Sequence, residues 1–149
     1  VGTVQEEVGL KGARTSAFHL EPDVALAVDT TIPGDHPGIT EKEACVKLGK
    51  GAVINVVEAS GRGLIAHPQV IKWLKECADR HSIPVQLDVS EGGMTDGAII
   101  YLTRGGIPTG TLSIPTRYIH SPVEVVDLKD IMSVSNLLAR AIQCVGDYF

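Results

Sequence analysis

Short, continuous apolar runs rich in β-branched residues alternate along this chain with longer stretches whose apolar positions recur at helical spacing. That alternation predicts a layered α/β structure, with strands in a sheet and helices across its faces. Residues 1–4 read as a short strand leading into Glu6 and Glu7, and 9–20, with small Ala13 and Ala17, as a closely packed helix. Residues 23–29 form an unbroken apolar run between two aspartates, the pattern of a strand buried on both faces. Pro33-Gly34-Asp35-His36-Pro37-Gly38 marks a loop within 30–40. Residues 52–58, carrying Val53, Ile54, Val56 and Val57, repeat the buried-strand pattern.

The clearest helical period covers 67–81, where Pro68 suits the first turn and Val70, Trp73, Leu74, Cys77 and Ala78 make one stripe. A strand is predicted at 84–89, a helix at 94–104 closed by Gly105-Gly106, and a strand at 107–114. The last helix is predicted over 128–145, N-capped by Asp127 with Asp130 three residues on. Its docking stripe is Ile131, Val134, Leu138, Ala141, Ile142 and Val145. No repeat, linker or low-complexity tract interrupts the pattern. The expectation is a single domain over residues 1–149, a three-layer αβα sandwich around a mainly parallel or mixed sheet.

Composition narrows the function more than the fold. With 44% hydrophobic and 21% charged residues the chain has a globular balance that excludes disorder. A net charge of −5 with no basic run argues against nucleic acid as a partner. No apolar run reaches the length of a membrane span, and no signal peptide opens the sequence. It begins at Val1 rather than Met, as expected of a processed or truncated product. Cys45, Cys77 and Cys144, odd in number and without CxxC spacing, read as reduced thiols of a cytoplasmic protein. Cys77 and Cys144 fall in apolar helical patterns as small core residues.

Acids and imidazoles at strand ends carry the candidate chemistry, because open α/β sheets gather function there. Glu6 and Glu7 follow the first predicted strand, Asp29 ends the second, and His120 follows the last. Carboxylates with imidazole suit zinc, and also cobalt or manganese. Of two adjacent glutamates, one can bind metal while the other takes a proton from water. The plain alternatives are a solvated Glu-Glu pair, an Asp29 that forms a turn, and a His120 that packs or hydrogen-bonds. His36, in the Gly/Pro loop, is a reserve ligand.

Taken together, the motifs resemble a known family. Val4-Gln5-Glu6-Glu7-Val8-Gly9-Leu10-Lys11-Gly12-Ala13, Val28-Asp29-Thr30-Thr31, Lys47-Leu48-Gly49-Lys50-Gly51 and Ile114-Pro115-Thr116-Arg117-Tyr118-Ile119-His120-Ser121-Pro122 occur in the order found in the tetrahedral (TET-type) and glutamyl aminopeptidases. The resemblance implies a cytosolic, dinuclear metallopeptidase acting on peptides, with zinc, cobalt or manganese as its two divalent ions. It assigns Glu6 as general base, Glu7 and His120 as ligands of one metal, and Asp29 as a ligand of the other. It also implies that an upstream His ligand, a bridging Asp and an inserted dimerisation domain belong to a longer chain, whose full-length form is a homo-oligomer. One departure is Gly92-Gly93-Met94-Thr95-Asp96, where the family has Gly-Gly-Thr-Asp. Two rival readings stand beside the aminopeptidase. One is a non-catalytic fragment serving in assembly. The other is an endoglucanase, disfavoured because Glu6 and Glu7 diverge from one point and aromatics are only 4%.

Overall fold

The computed structural model describes residues 1–40 and 42–149. In chain order the elements are α1 (Lys11–Leu20), β1 (Ala25–Thr31), β2 (Ala52–Val57), α2 (Pro68–Arg80), β3 (Val85–Val89), α3 (Gly97–Ile100), β4 (Thr109–Arg117), β5 (Val125–Val126) and α4 (Leu128–Gln143). The sheet runs β1-β4-β2-β3, with β5 beside β4. β1 lies parallel to β4 and β2 parallel to β3, while β2 and β4 meet antiparallel. The sheet is therefore mixed, and helices flank both of its faces.

One face holds the hydrophobic core. Along β2 and β4, Ala52, Ile54 and Leu112 point to the same side, where they meet Val70, Trp73, Leu74, Cys77 and Ala78 of α2 and Val134, Leu137 and Ala141 of α4. Every residue of the α2 stripe is buried, so the helical period reads correctly. Pro68 opens α2, and the His67 ring accepts the Gln69 N–H at 3.2 Å to cap it. Trp73 anchors the layer, its indole N–H donating to the Ala141 carbonyl at 3.2 Å. Burying such side chains is worth about 1.5–3 kcal/mol each.

The opposite face is polar although buried. Thr109, Thr111, Ser113, Asn55 and Asp88 alternate with the core residues along β4, β2 and β3, and none is more than 3% exposed. α3 covers part of this face, its Gly97 seated against Thr111, and α1 packs on α3.

Several predicted elements are shifted. Residues 1–4 form no strand; they run alongside α1, where a Cβ on Gly12 would meet the Val4 backbone at 2.5 Å. β1 starts at Ala25 and continues past Asp29 to Thr31, and Val28 is 48% exposed, so this strand is not buried on both faces. The helix expected at 94–104 shrinks to Gly97–Ile100. Thr95 is tied down by Glu58 on one side, and the Gly106 N–H turns back to the Thr103 carbonyl on the other. β4 runs later than expected, through Pro115 to Arg117, and β5 carries no pattern long enough to see.

α4 ends at Gln143, buries Leu137 and leaves Ile142 59% exposed. Asp127 caps it by accepting the Lys129 N–H at 2.8 Å. Asp130 does not complete a capping box. It is fully buried and accepts the N–H groups of Gly49 and Gly51, each at 2.7 Å, fastening the Leu48-Gly49-Lys50-Gly51 turn to the helix. All three cysteines are free thiols, with Cys77 in the core.

Candidate functional site

Glu6 and Glu7 sit in a tight turn closed onto the start of α1. The Glu6 carbonyl accepts the N–H groups of Gly9 and Leu10 at 3.0 and 2.9 Å, and the Gly12 N–H donates to the Val4 carbonyl at 2.9 Å. Gln5 enters the turn with φ 60° and Leu10 leaves it with φ 55°, left-handed conformations that non-glycine residues adopt at a cost. Gly12 is required for the close approach of the Val4 backbone, so the turn that presents the glutamates depends on that glycine.

His120 occupies the turn after β4, also left-handed at φ 64°. Its N–H donates to the Glu124 carboxylate at 2.9 Å, which fixes the backbone, and its Nε2 meets Glu7 Oε1 at 3.1 Å. Both members of this pair have side chains 71% exposed, so the pairing itself adds little stability. Asp29 lies within β1 rather than at its end, on the polar face beside Ser113, with Oδ1 accepting the Thr30 N–H at 2.7 Å.

The four residues line one cavity of about 650 Å³. Burial raises the Glu6 pKa above the usual carboxylate range, and the charges of Asp29, Glu7 and Asp96 push the same way. Burial likewise raises Asp29, assisted by Asp96 and Glu7 and opposed by the Thr30 N–H. His36 does not join them. Its ring lies 4.8 Å from that of Tyr118, its Nδ1 is 2.7 Å from the Pro37 carbonyl, and it lies outside the cavity lining.

Among the described residues, no three His, Cys, Asp or Glu side chains converge closely enough to hold a metal ion. Glu7 and His120 pair, while Asp29 stands apart from them. The donor set nonetheless fits divalent cations. It combines oxygen and imidazole nitrogen donors, and its carboxylates repel one another in a way that a cation would relieve.

Sequence reasoning missed the floor of the cavity. Glu58, 2% exposed, accepts the Thr95 hydroxyl at 2.9 Å and the Thr95 N–H at 3.2 Å. Asp88 Oδ2 accepts the Thr31 hydroxyl at 3.0 Å and the Asn55 amide at 3.3 Å, and Asn55 in turn accepts the Ser113 hydroxyl at 2.7 Å. Burial lifts the Asp88 pKa, against the Thr31 hydroxyl and Val89 N–H. The period-two hydroxyls Thr109, Thr111 and Ser113 were the available signal. Asp96, noted in the sequence only as part of a motif departure and given no role, accepts the Thr3 hydroxyl at 2.6 Å and acts through its charge on both Glu6 and Asp29.

Residues 1–137 match the family described as M42 glutamyl aminopeptidase. A relative from Acetivibrio thermocellus, named only provisionally as an aminopeptidase, is 51% identical over 142 residues, 95% of this chain and 42% of its own length. Aminopeptidase APDkam598 from the archaeon Desulfurococcus kamchatkensis superposes with a TM-score of 0.89 at 54% identity, over 95% of this chain and 39% of that one. The TET1 peptidase of Pyrococcus horikoshii, which can assemble into a tetrahedron or a large octahedral shell, superposes with a TM-score of 0.76 at 36% identity, over 94% and 38%. The chain thus spans about two-fifths of the length of these relatives.

Proposed function

This chain belongs to the M42 glutamyl aminopeptidase family, and from that premise we propose that it supplies the C-terminal part of the catalytic domain of a metal-dependent aminopeptidase. The observation that carries the reading is the meeting of Glu6, Glu7, Asp29 and His120, from three separate segments, on one cavity. Glu7 and His120 would hold one divalent ion and Asp29 a second, with zinc or cobalt best suited and manganese also accommodated. Such ions supply polarisation of the peptide carbonyl and acidification of water. The remaining ligands would come from the upstream part of the same protein. The working protein would be a cytosolic homo-oligomer, in keeping with the assemblies of the Pyrococcus horikoshii peptidase.

Glu6 acts as general base. Its carboxylate takes a proton from the attacking water and returns it to the amine that leaves as the first peptide bond breaks. A carboxylate whose pKa is raised by burial and neighbouring acids is a better proton acceptor than a fully solvated one. Asp96 sustains that shift from behind, and Glu124 keeps the His120 turn in place.

Glu6→Gln in the metal-loaded, full-length protein should lower kcat on an aminoacyl-anilide by about 10²–10⁴-fold with metal content unchanged. Loss of both ions in that variant would contradict the base assignment. A second reading is a non-catalytic fragment serving in assembly. A full-length protein that takes up no zinc, cobalt or manganese and cleaves no anilide would establish it. The endoglucanase reading gains nothing, since the described cavity lining includes no Trp, Tyr or Phe on which a sugar could stack.

A further inference from the structure

Two thiols that the cavity chemistry leaves aside meet on the other side of the sheet. Cys77 stands on the last turn of α2, and Cys144 is the residue at which α4 stops. Neither lines the cavity. Cys77 is 1% exposed within the core, and Cys144 is half-buried against that core, both as free thiols.

The packing of the two helices brings them together. Trp73, one turn before Cys77 on the same face of α2, donates its indole N–H to the Ala141 carbonyl at 3.2 Å. The Cys144 thiol donates to that same carbonyl at 3.4 Å. The Cys77 and Cys144 side chains also hydrogen-bond to each other. Burial raises the Cys77 pKa, the adjacent Cys144 raises it further, and the charges of Arg80 and Arg140 oppose both. Unequal exposure gives the two sulfurs unequal parts. An oxidant from solvent reaches Cys144 first, while Cys77, kept protonated by burial, reacts only with a partner already beside it. Residues 145–149 then fold back over α2, where Tyr148 donates to Glu76 at 2.7 Å and Phe149 packs edge-on against Trp73.

We propose that Cys77 and Cys144 form a reversible intramolecular disulfide, made by a hydroperoxide, that locks the ends of α2 and α4 together. Hydrogen peroxide transfers one oxygen to the Cys144 thiolate, giving a sulfenic acid and hydroxide. The Cys77 thiolate attacks that sulfur, the S–S bond forms and a second hydroxide leaves. With the two thiol protons these become two waters, so the dithiol supplies both electrons that the peroxide takes up. A link between residues so distant in sequence restricts the unfolded chain and stabilises the native one.

The test uses the full-length protein carrying Cys45→Ser, which removes the exposed third thiol of this stretch. After hydrogen peroxide and digestion without reductant, mass spectrometry should find the Cys77 and Cys144 peptides joined, and dithiothreitol should release them. The oxidised protein should unfold at higher urea than the reduced one, with dithiothreitol erasing the shift. Adding Cys77→Ala should leave Cys144 as a sulfenic acid that dimedone traps, an adduct scarce in the parent. Adding Cys144→Ser should leave Cys77 unmodified at the peroxide dose that links the parent. Absence of the joined peptide, or equal dimedone adduct with and without Cys77, overturns the proposal. A joined peptide with an unchanged or lowered urea midpoint overturns the lock. Should Cys77→Ala fail to fold, the parent digest and the Cys144→Ser variant decide.

Discussion

The two faces of the sheet are made from the same strands, one residue apart, and they do opposite work. On β4, Leu112 and Ile114 turn toward α2 and α4, while Thr111 and Ser113 turn to the other side, where they hydrogen-bond Thr95 and Asn55. Both sides are buried, but one is satisfied by contact alone and the other by hydrogen bonds that link Ser113, Asn55, Asp88 and Thr31 in series. On or near the polar face, Asp96 Oδ1 is buried without a donor among the described residues. The contrast places stability on the helix-covered face and leaves the other face with polar groups whose arrangement costs stability. Unspent polarity of that kind is a usual mark of a working site.

The largest effect should come from the apolar face. Trp73→Ala removes a 2% exposed ring lodged against Tyr148 and Phe149, and should cost about 3–5 kcal/mol in urea unfolding. Next is Asp130→Ala, which leaves the buried Gly51 N–H and the part-buried Gly49 N–H unpaired on the same side of the molecule. It should cost about 2–3 kcal/mol by the same measurement. A cost well below 1 kcal/mol would mean the Gly49–Gly51 turn is held by something else.

Asp88→Asn reverses the sign. The folded state raises the Asp88 pKa, so the unfolded chain ionises it at lower pH than the native state does. Folding is then penalised above the raised pKa, and the penalty vanishes as pH falls below about 4, the ordinary carboxylate value. The variant should therefore melt higher than wild type at pH 8, with the gain closing at pH 3.5. Destabilisation at both pH values would show that the hydrogen bonds to Thr31 and Asn55 outweigh the burial of charge. The smallest stability changes belong to Glu7→Gln and His120→Ala, expected within about 0.5 kcal/mol in the metal-free protein because both side chains are exposed. The same two variants should lower zinc uptake in equilibrium dialysis, which separates chemistry from stability on one face.

Legibility in the sequence followed the same division. The α2 stripe was readable because burial of long side chains imposes a helical period, and β2 because a continuous β-branched run has few other uses. Glu6, Glu7, Asp29 and His120 were picked out as acids and an imidazole at predicted strand ends, and motif order supplied the roles expected of them. The polar face went unread because Thr, Ser and Asn alternating with Leu and Ile look like an ordinary half-solvated strand. Only tertiary structure reveals that their side is buried. The expected helix at 94–104 failed for a related reason. Thr95 bonds to Glu58, 37 residues away, and that bond is invisible to local propensity. Asp130 looked like a capping residue because its sequence spacing allowed it, while its partners lie 79 and 81 residues away.

Trp73 is the only tryptophan in the chain, and it lies wholly within the core beneath α2 and α4. Its fluorescence is consequently an optical gauge of one side of the sheet. Unfolding should redden and alter the emission strongly, whereas events confined to the cavity should leave it almost dark to view. A titration that moves the tryptophan signal would be reporting a change transmitted through the sheet, and one that leaves it flat would be seen only by a probe placed on the ligand or the metal.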